Sequence, residues 1–354
     1  MKKFSIIFIL SIFVYSFSHF VIWEKRTSYF FDKEKSTSIG DLARLSYKLK
    51  FSKNRYNEKD KQLPEFHKVF NGQKDLDILT IGDSFSGGGG GSLEYYQDFI
   101  AKKYNLDIAN LNIVNDVRST FEVAIQKEFL KKYKPRVIII QTVQREFLNR
   151  FDKRFDEFEY SEEYIDDFLF KKKVKNIKDQ KKQGFDFITN LNFKPFLYDI
   201  LYFFSENAFF SKVYIVDMKK NLFDHIHGNK LLFYFKDLEG HVDNNCKRVK
   251  NVVKNLNKYA ENLKKFDTTL MLLIAPDKYH IYKQFLYRKT HENKLFDCIR
   301  NLETKFEFIN SDLLLKNAVK NGEKEVYQFD DTHWTAKAIK ILFDESIFFK
   351  NLNK

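Results

Sequence analysis

The chain has 354 residues and 42.5 kDa but only 4 Pro and 12 Gly, which leaves little linker material and favours one main domain with an insertion over two domains. With 44% hydrophobic and 17% aromatic residues it can bury a sizeable core, which excludes general disorder and the collagen-like or low-complexity classes. The net charge of +13 goes with a general excess of Lys, Asn and Phe, and no nucleic-acid module is visible, so the charge is not read as a nucleic-acid partner.

The chain opens with Lys2 and Lys3, followed by an apolar run from Phe4 to Trp23 free of acids, Lys and Arg. Its roughly 20 residues suffice to span a bilayer. The run is longer than the core of a cleaved signal peptide, and no small-residue cleavage site precedes Glu24, Lys25 and Arg26. Residues 1–23 are therefore read as a signal anchor that stays attached, with the rest of the chain outside the cytoplasmic membrane, periplasmic or extracellular. From 24 to 74 the sequence is polar and Lys-rich. A stalk is expected there, with a helical stretch around Ile39 to Lys50.

Five short apolar runs follow: Asp75–Gly82, Leu111–Asn115, Arg136–Thr142, Thr268–Ala275 and Phe306–Asn310. They alternate with helical patterns at Ser92–Tyr104, Ser119–Tyr133, Val249–Lys265, Asn293–Lys305 and Thr335–Phe349. Continuous rather than alternating apolar runs mark strands buried on both faces, so the fold expected for residues 75–350 is a three-layer α/β/α sandwich on a five-stranded parallel sheet. The stretch between Thr142 and Thr268 is far too long for a βα loop and is read as a helical insertion at about 151–235. It carries acids from Asp152 to Asp167, then lysines from Lys171 to Lys182, a pattern read as solvated helix faces. Its Phe/Tyr-rich segment Asn192–Phe210 is read as core rather than as a platform for sugar rings.

Gly82-Asp83-Ser84-Phe85-Ser86 ends the first strand and is followed by Gly87 to Gly91. Glycines let the backbone approach a ligand, and a serine at the carboxyl end of a strand sits where open α/β sheets bind substrates. No lysine follows the glycines as a P-loop requires, and the dinucleotide pattern G-x-G-x-x-G is absent. The second signal is Phe329-Asp330-Asp331-Thr332-His333-Trp334, after the fifth strand. A serine hydroxyl becomes a competent nucleophile when an imidazole takes its proton and a carboxylate orients that imidazole. Ser84, His333 and an adjacent acid complete such a set without a cofactor. His225 and His227 form an H-x-H without further matched ligands, and no metal site is expected from them. Cys246 and Cys298 lie in no C-x-x-C and form one bridge or remain two inert thiols.

Gly82-Asp83-Ser84 together with Asp331-Thr332-His333-Trp334 resembles the SGNH (GDSL-type) hydrolase superfamily, and the D-x-H-W spelling resembles its alginate O-acetyltransferase-like branch. Two further segments are similar to that branch: Ala275-Pro276-Asp277-Lys278-Tyr279 with Tyr282, and Gln141-Thr142-Val143-Gln144-Arg145-Glu146. The resemblance covers roughly residues 75–350. It implies Ser84 as nucleophile, His333 as general base and Asp331 as its orienter, with Asp330 the alternative acid because the wider superfamily spaces the pair D-x-x-H. The G-x-N-D block that supplies an oxyanion asparagine elsewhere is missing. Oxyanion contacts are therefore expected from the Ser84 N–H and a glycine such as Gly87, and Gln144 and Arg145 are placed near substrate, Arg145 alternatively in an ion pair with Glu146 or elsewhere.

The activity implied is O-acetyl transfer to a cell-envelope or secreted polysaccharide, with peptidoglycan also open as acceptor. The acetyl donor would be supplied through a membrane-bound O-acyltransferase. A carbohydrate O-acetylesterase and a non-catalytic glycan-binding assembly protein remain alternatives.

Overall fold

The computed structural model describes residues 2–28, 39–52, 68–89, 95–152, 159–170, 187–239, 246–288 and 292–352. The lysine run from Lys171 to Lys182, Gly90, Gly91 and the start expected for the first domain helix at Ser92 lie outside the described residues.

A parallel sheet organises the chain. Its strands are β1 (Lys68–Val69), β2 (Ile78–Ile81), β3 (Ile108–Asn110), β4 (Val137–Val143), the later β7 (Thr269–Ala275) and β8 (Glu307–Phe308), in the order β1-β3-β2-β4-β7-β8. The remaining two, β5 (Val213–Asp217) and β6 (Lys230–Tyr234), form a separate antiparallel hairpin in the insertion. Every residue of β4 is buried, as its β-branched run requires of a central strand covered on both faces. Side chains alternate between two cores. Ile78, Val137, Ile139, Met271 and Leu273 enter one, while Leu79, Ile138, Ile140, Leu270 and Leu272 enter the other. The helices Tyr96–Tyr104, Ser311–Lys320 and Ala336–Phe343 cover the first face. Those at Val117–Ala124, Lys127–Tyr133, Gln144–Phe151, Cys246–Lys264 and Leu295–Arg300 cover the second. At about 1.5–3 kcal/mol per fully buried Val, Leu, Ile or Phe, these two layers dominate the stability.

Three expectations are corrected. Among the described residues the sheet has six strands, not five, because Lys68–Val69 pairs with Ala109 and Asn110 at the edge. β3 starts and ends earlier than the apolar run Leu111–Asn115, since the register with β2 joins Ile78, Leu79 and Thr80 to Ile108, Ala109 and Asn110. Residues 39–51 are not a stalk. The helix Asp41–Leu45 and the turn Leu49–Phe51 bury Leu42, Ala43 and Phe51 against the domain, an apolar content that the surrounding lysines mask in sequence.

The strand order reverses around β2. β2 leads to β3 on one side, and the chain then returns to β4 on the other, which opens a crevice at the carboxyl ends of the strands. Gly82, Gln144 and Pro276 follow β2, β4 and β7 at this same edge, whose register aligns Ile81 with Ile140 and Val143 with Ala275. At the N-terminus, helix Lys2–Ile22 is 21 residues long, and its apolar side chains are exposed along most of its length. It is long and apolar enough to cross a membrane. Cys246 and Cys298 form a disulfide that joins the first turn of helix Cys246–Lys264 to helix Leu295–Arg300.

Candidate active site

The turn after β2 is shaped by hydrogen bonds within it. The Ser86 and Gly87 N–H groups donate to the Asp83 carbonyl at 2.9 and 3.1 Å, and Gly89 N–H donates to the Ser84 carbonyl at 2.8 Å. Two glycines are there because nothing larger fits. A Cβ on Gly82 would lie 2.1 Å from Ser86 Oγ and 2.5 Å from Gln141 Oε1, and one on Gly89 would lie 2.2 Å from His333 Cδ2 and 2.3 Å from Nε2. The glycine cluster thus lets the backbone pass directly against the imidazole. Asp83 fastens the turn to the next strand end: its carboxylate accepts from Val143 N–H at 2.8 Å and from Arg150 at 2.6 Å, and Arg150 also donates to Thr142 Oγ1. Ser84 is left exposed at the tip.

The segment Gln328–Trp334 arrives from the other side. His333 Nε2 lies 2.7 Å from Ser84 Oγ, and Nδ1 lies 2.6 Å from Asp331 Oδ1. His333 N–H donates to the same Asp331 oxygen at 3.0 Å. A ring contact locks the two motifs together, because the buried Phe85 packs on both His333 and Trp334 with centroids 4.6 and 4.8 Å apart. Below, the buried Lys278 ammonium donates to the carbonyls of Gln328, Phe329 and Asp331 at 2.6, 2.7 and 3.2 Å. Burial draws its pKa down to about 8 against the pull of Asp330, Asp331 and Asp41. Lysine here is a strut for the acid–histidine loop.

Asp330 and Asp331 part ways. Asp330 Oδ2 accepts from Gly40 N–H at 2.8 Å, and its carbonyl accepts from Leu42 and Ala43 N–H at 3.0 and 3.2 Å. The carboxylate beside the imidazole is that of Asp331, two residues before the histidine. Its second oxygen accepts from Asp41 N–H at 3.0 Å, and Asp41 in turn accepts from Thr332 N–H at 2.9 Å and Thr332 Oγ1 at 2.6 Å. Burial, and next the Asp331 charge, raise the Asp41 carboxyl to about 6, although His333 and Thr332 pull the other way. Burial alone would lower the His333 pKa, but the hydrogen bond and charge of Asp331, with Asp41 and Asp83, raise it above the ordinary histidine value. The imidazole is thereby a stronger base than a free one. The donor atoms of Asp41, Asp331 and His333 lie within 4.8 Å of one another, yet all three side chains are engaged in the hydrogen bonds just described.

The other expected residues fall around this centre in different roles. Gly87 N–H closes the turn onto the Asp83 and Ser84 carbonyls at 3.1 and 3.2 Å, so it is not a free oxyanion donor in this structure. Among the described residues the Ser84 N–H makes no hydrogen bond. Gln144 Oε1 accepts from Asp277 N–H at 2.9 Å and so ties the end of β4 to the end of β7. Arg145 donates to the buried Asp277 at 2.6 Å and Asp237 at 3.2 Å. This is its ion pair, whereas Glu146 meets Lys236 at 3.5 Å. Burial pushes the carboxyls of Asp277 and Asp237 up while the guanidinium holds them down, so Arg145 anchors the insertion to the floor of the site. His225 stacks on Phe329 at 4.3 Å, and its Nδ1 accepts from His227 N–H at 3.1 Å. The aromatic segment Asn192–Phe210 is neither core nor part of this constellation, since most of its apolar side chains face outward.

Sequence reasoning missed Asp41, Thr332 as its partner, and the Asp83–Arg150 tie. The only trace of Asp41 is an acid at the start of a short helical pattern.

Comparison with protein-family models, with curated proteins and with solved structures returns no match, so the site is read from its own geometry.

Proposed function

We propose that the chain is a membrane-anchored serine O-acyltransferase that moves an acetyl group onto a glycan hydroxyl through an acyl-enzyme on Ser84, on a fold of the SGNH type. The observation that carries this reading is the unbroken relay Ser84 Oγ, His333 Nε2, His333 Nδ1, Asp331 Oδ1, with contacts of 2.7 and 2.6 Å and the serine open to solvent. Ser84 Oγ attacks the acyl carbonyl carbon while its proton passes to His333 Nε2. The oxyanion forms beside the Ser84 N–H. When the carbonyl re-forms, the leaving group departs with the proton held on Nε2. An acceptor hydroxyl then gives its proton to the same nitrogen and attacks the acyl carbon, and as the second tetrahedral intermediate collapses Nε2 returns that proton to the departing Ser84 Oγ. Asp331 keeps the other imidazole proton on Nδ1 throughout and stabilises the charged ring.

Export of the domain fits the apolar helix and the disulfide, which persists in oxidising compartments. An acetyl donor made in the cytoplasm would need a membrane-bound O-acyltransferase to deliver it, and a polysaccharide or peptidoglycan would be the acceptor. The exposure of Ser84 favours one competing reading, an O-acetylesterase in which water is the acceptor. The test is partition of the acyl group. With a chromogenic acetyl ester as donor, an oligosaccharide acceptor should speed deacylation and yield acetylated sugar at the expense of free acetate. Fast acetate release that no glycan alters, together with deacetylation of acetylated polysaccharide, would replace transfer by hydrolysis. No covalent label on Ser84 from a fluorophosphonate would remove both.

A further inference from the structure

Helix Lys194–Phe204 turns an apolar face outward. Phe193, Phe196, Leu197, Ile200, Phe203 and Phe204 recur at the three- and four-residue spacing of one helical face, and that face is exposed, with Phe203 at 84% and Phe204 at 70%. The side that faces the protein holds Pro195, buried, with Tyr198, Leu201 and Tyr202 half-buried. Tyr202 OH donates to Ser211 Oγ at 2.7 Å and the Val213 carbonyl at 2.9 Å, and Asp199 pairs with Lys48 and with Arg26. The apolar face continues past the helix through Phe209 and Phe210, both exposed. A patch of this extent on a water-facing surface is unusual and marks a binding face.

Its position says what covers it. The face begins where helix Lys2–Ile22 ends: Asn192 Nδ2 donates to the His19 carbonyl at 3.2 Å, Phe193 lies edge-on to His19 at 4.9 Å, Phe187 packs on Phe20 at 5.9 Å, and Arg26 sits 4.4 Å over Phe196. At about 1.5 Å per residue the 21-residue helix measures roughly 31 Å, the thickness of a hydrocarbon core. Its end at Ile22 therefore marks the level of the bilayer surface, and the outward aromatic face starts at that level. Beside it lies a cleft of about 270 Å³ lined by Lys25, Arg26, Tyr47, Lys50, Pro195 and Asp199, three cations against one carboxylate. Aromatic and apolar groups next to a basic rim are the chemistry of an interfacial helix on a lipid surface that carries anionic headgroups.

We propose that the outer face of Lys194–Phe204 lies in the interface of the bilayer that helix Lys2–Ile22 spans, and that the Lys25/Arg26/Lys50 cleft receives the phosphate of an anionic lipid headgroup. The proposal rests on the reading of helix Lys2–Ile22 as a membrane span and is independent of the chemistry at Ser84. The docked segment continues into the site: Tyr47 and Lys50 in the cleft lie a few residues after Asp41, whose N–H bonds Asp331. Lipid contact thus fixes the height of the Ser84–His333 pair above the membrane.

The test places nitroxide labels on the full-length chain in lipid nanodiscs, at Phe203→Cys, at Phe13→Cys within the span and at Lys254→Cys on an exposed helix surface remote from the patch. The two native cysteines are bridged and do not compete for label. In discs that contain phosphatidylglycerol, the label at 203 should be at least roughly fivefold less accessible to a water-soluble nickel chelate than that at 254, and correspondingly more accessible to oxygen. Removing phosphatidylglycerol, or combining Lys25→Gln with Lys50→Gln, should reduce this difference. A water-accessible 203 with 13 still buried in lipid overturns the docking and leaves the span intact. A water-accessible 13 overturns the span itself. Protection at 203 that is indifferent both to phosphatidylglycerol and to the two lysines removes the headgroup site, and soluble glycerol phosphate that substitutes for the lipid turns the cleft into a soluble-anion site.

Discussion

Two segments close on His333 from distant parts of the chain, and they contribute different things. The turn 82–89 brings Ser84 Oγ to 2.7 Å from Nε2 and gives up side chains so that its backbone can lie against the ring. The segment 39–51 brings no reactive atom. It supplies backbone N–H groups to Asp330 and Asp331 and a carboxylate to Thr332, and so holds the acid–histidine loop from behind. On the proposed mechanism the strand end supplies the nucleophile, and the stretch that follows the apolar N-terminal helix supplies the restraint.

That division predicts a graded series of losses. Ser84→Ala and His333→Ala should each lower kcat by roughly 10⁴- to 10⁶-fold, and the double variant should be no worse than either alone because they act as one unit. Additive losses measured by steady-state kinetics would break the shared relay. Asp331→Asn should cost roughly 10³- to 10⁴-fold, with Ser84 still slowly labelled by a fluorophosphonate, because the carboxylate sets the tautomer and not the nucleophile. Asp330→Asn should be far milder in kcat and show mainly as a lower Tm; the reverse ranking would exchange the two acids.

Gly89→Ala tests the turn without replacing any side chain of the relay. Its Cβ must displace the imidazole or the loop, so a drop of about 10²-fold in the rate of Ser84 labelling is expected, with far-ultraviolet circular dichroism unchanged. Normal labelling would mean that the turn yields at no cost to alignment.

Asp41→Asn is the mildest and the most diagnostic. Asn keeps an acceptor for Thr332 but removes a negative charge that favours the imidazolium, so the His333 pKa should fall. The groups that face Asp41 are Thr332 and Asp331 at hydrogen-bonding distance, His333 within 4.8 Å, and the buried Lys278 through its charge, and only the charge of Asp41 itself changes. Catalysis needs the unprotonated ring, and therefore the acid limb of kcat/KM should move to lower pH, with kcat at neutral pH reduced by no more than about tenfold. An unmoved limb would make Asp41 purely a brace. A loss as large as that of Asp331→Asn would erase the distinction between the two segments.

The sequence discloses the first segment and conceals the second for a physical reason. Ser84, Asp331 and His333 are recognisable because the proton transfer proposed for them demands particular residue types, and five apolar runs between helical patterns reveal a parallel sheet because a strand buried on both faces has no room for polar side chains. Asp41 acts through its N–H and through Thr332, contacts that impose no spacing on a residue some 290 positions away. The Asn192–Phe210 stripe marks the opposite limit. Its helical period is plain in sequence, but periodicity reports that a face is apolar and not whether protein or something else covers it. Helix Cys246–Lys264 shows a comparable stripe and buries it in the core.

The Cys246–Cys298 bridge spans 52 positions, and everything between them is a closed ring of chain. That ring contains β7, Asp277, which grips Arg145, and Lys278, which carries the carbonyls beneath the acid–histidine pair. By the chain-entropy account, such a ring lowers the freedom of the unfolded chain by about 4 kcal/mol. A copy of the protein kept among thiol reductants forgoes that contribution to its stability, and the fold that carries the floor of the site is then easier to unfold.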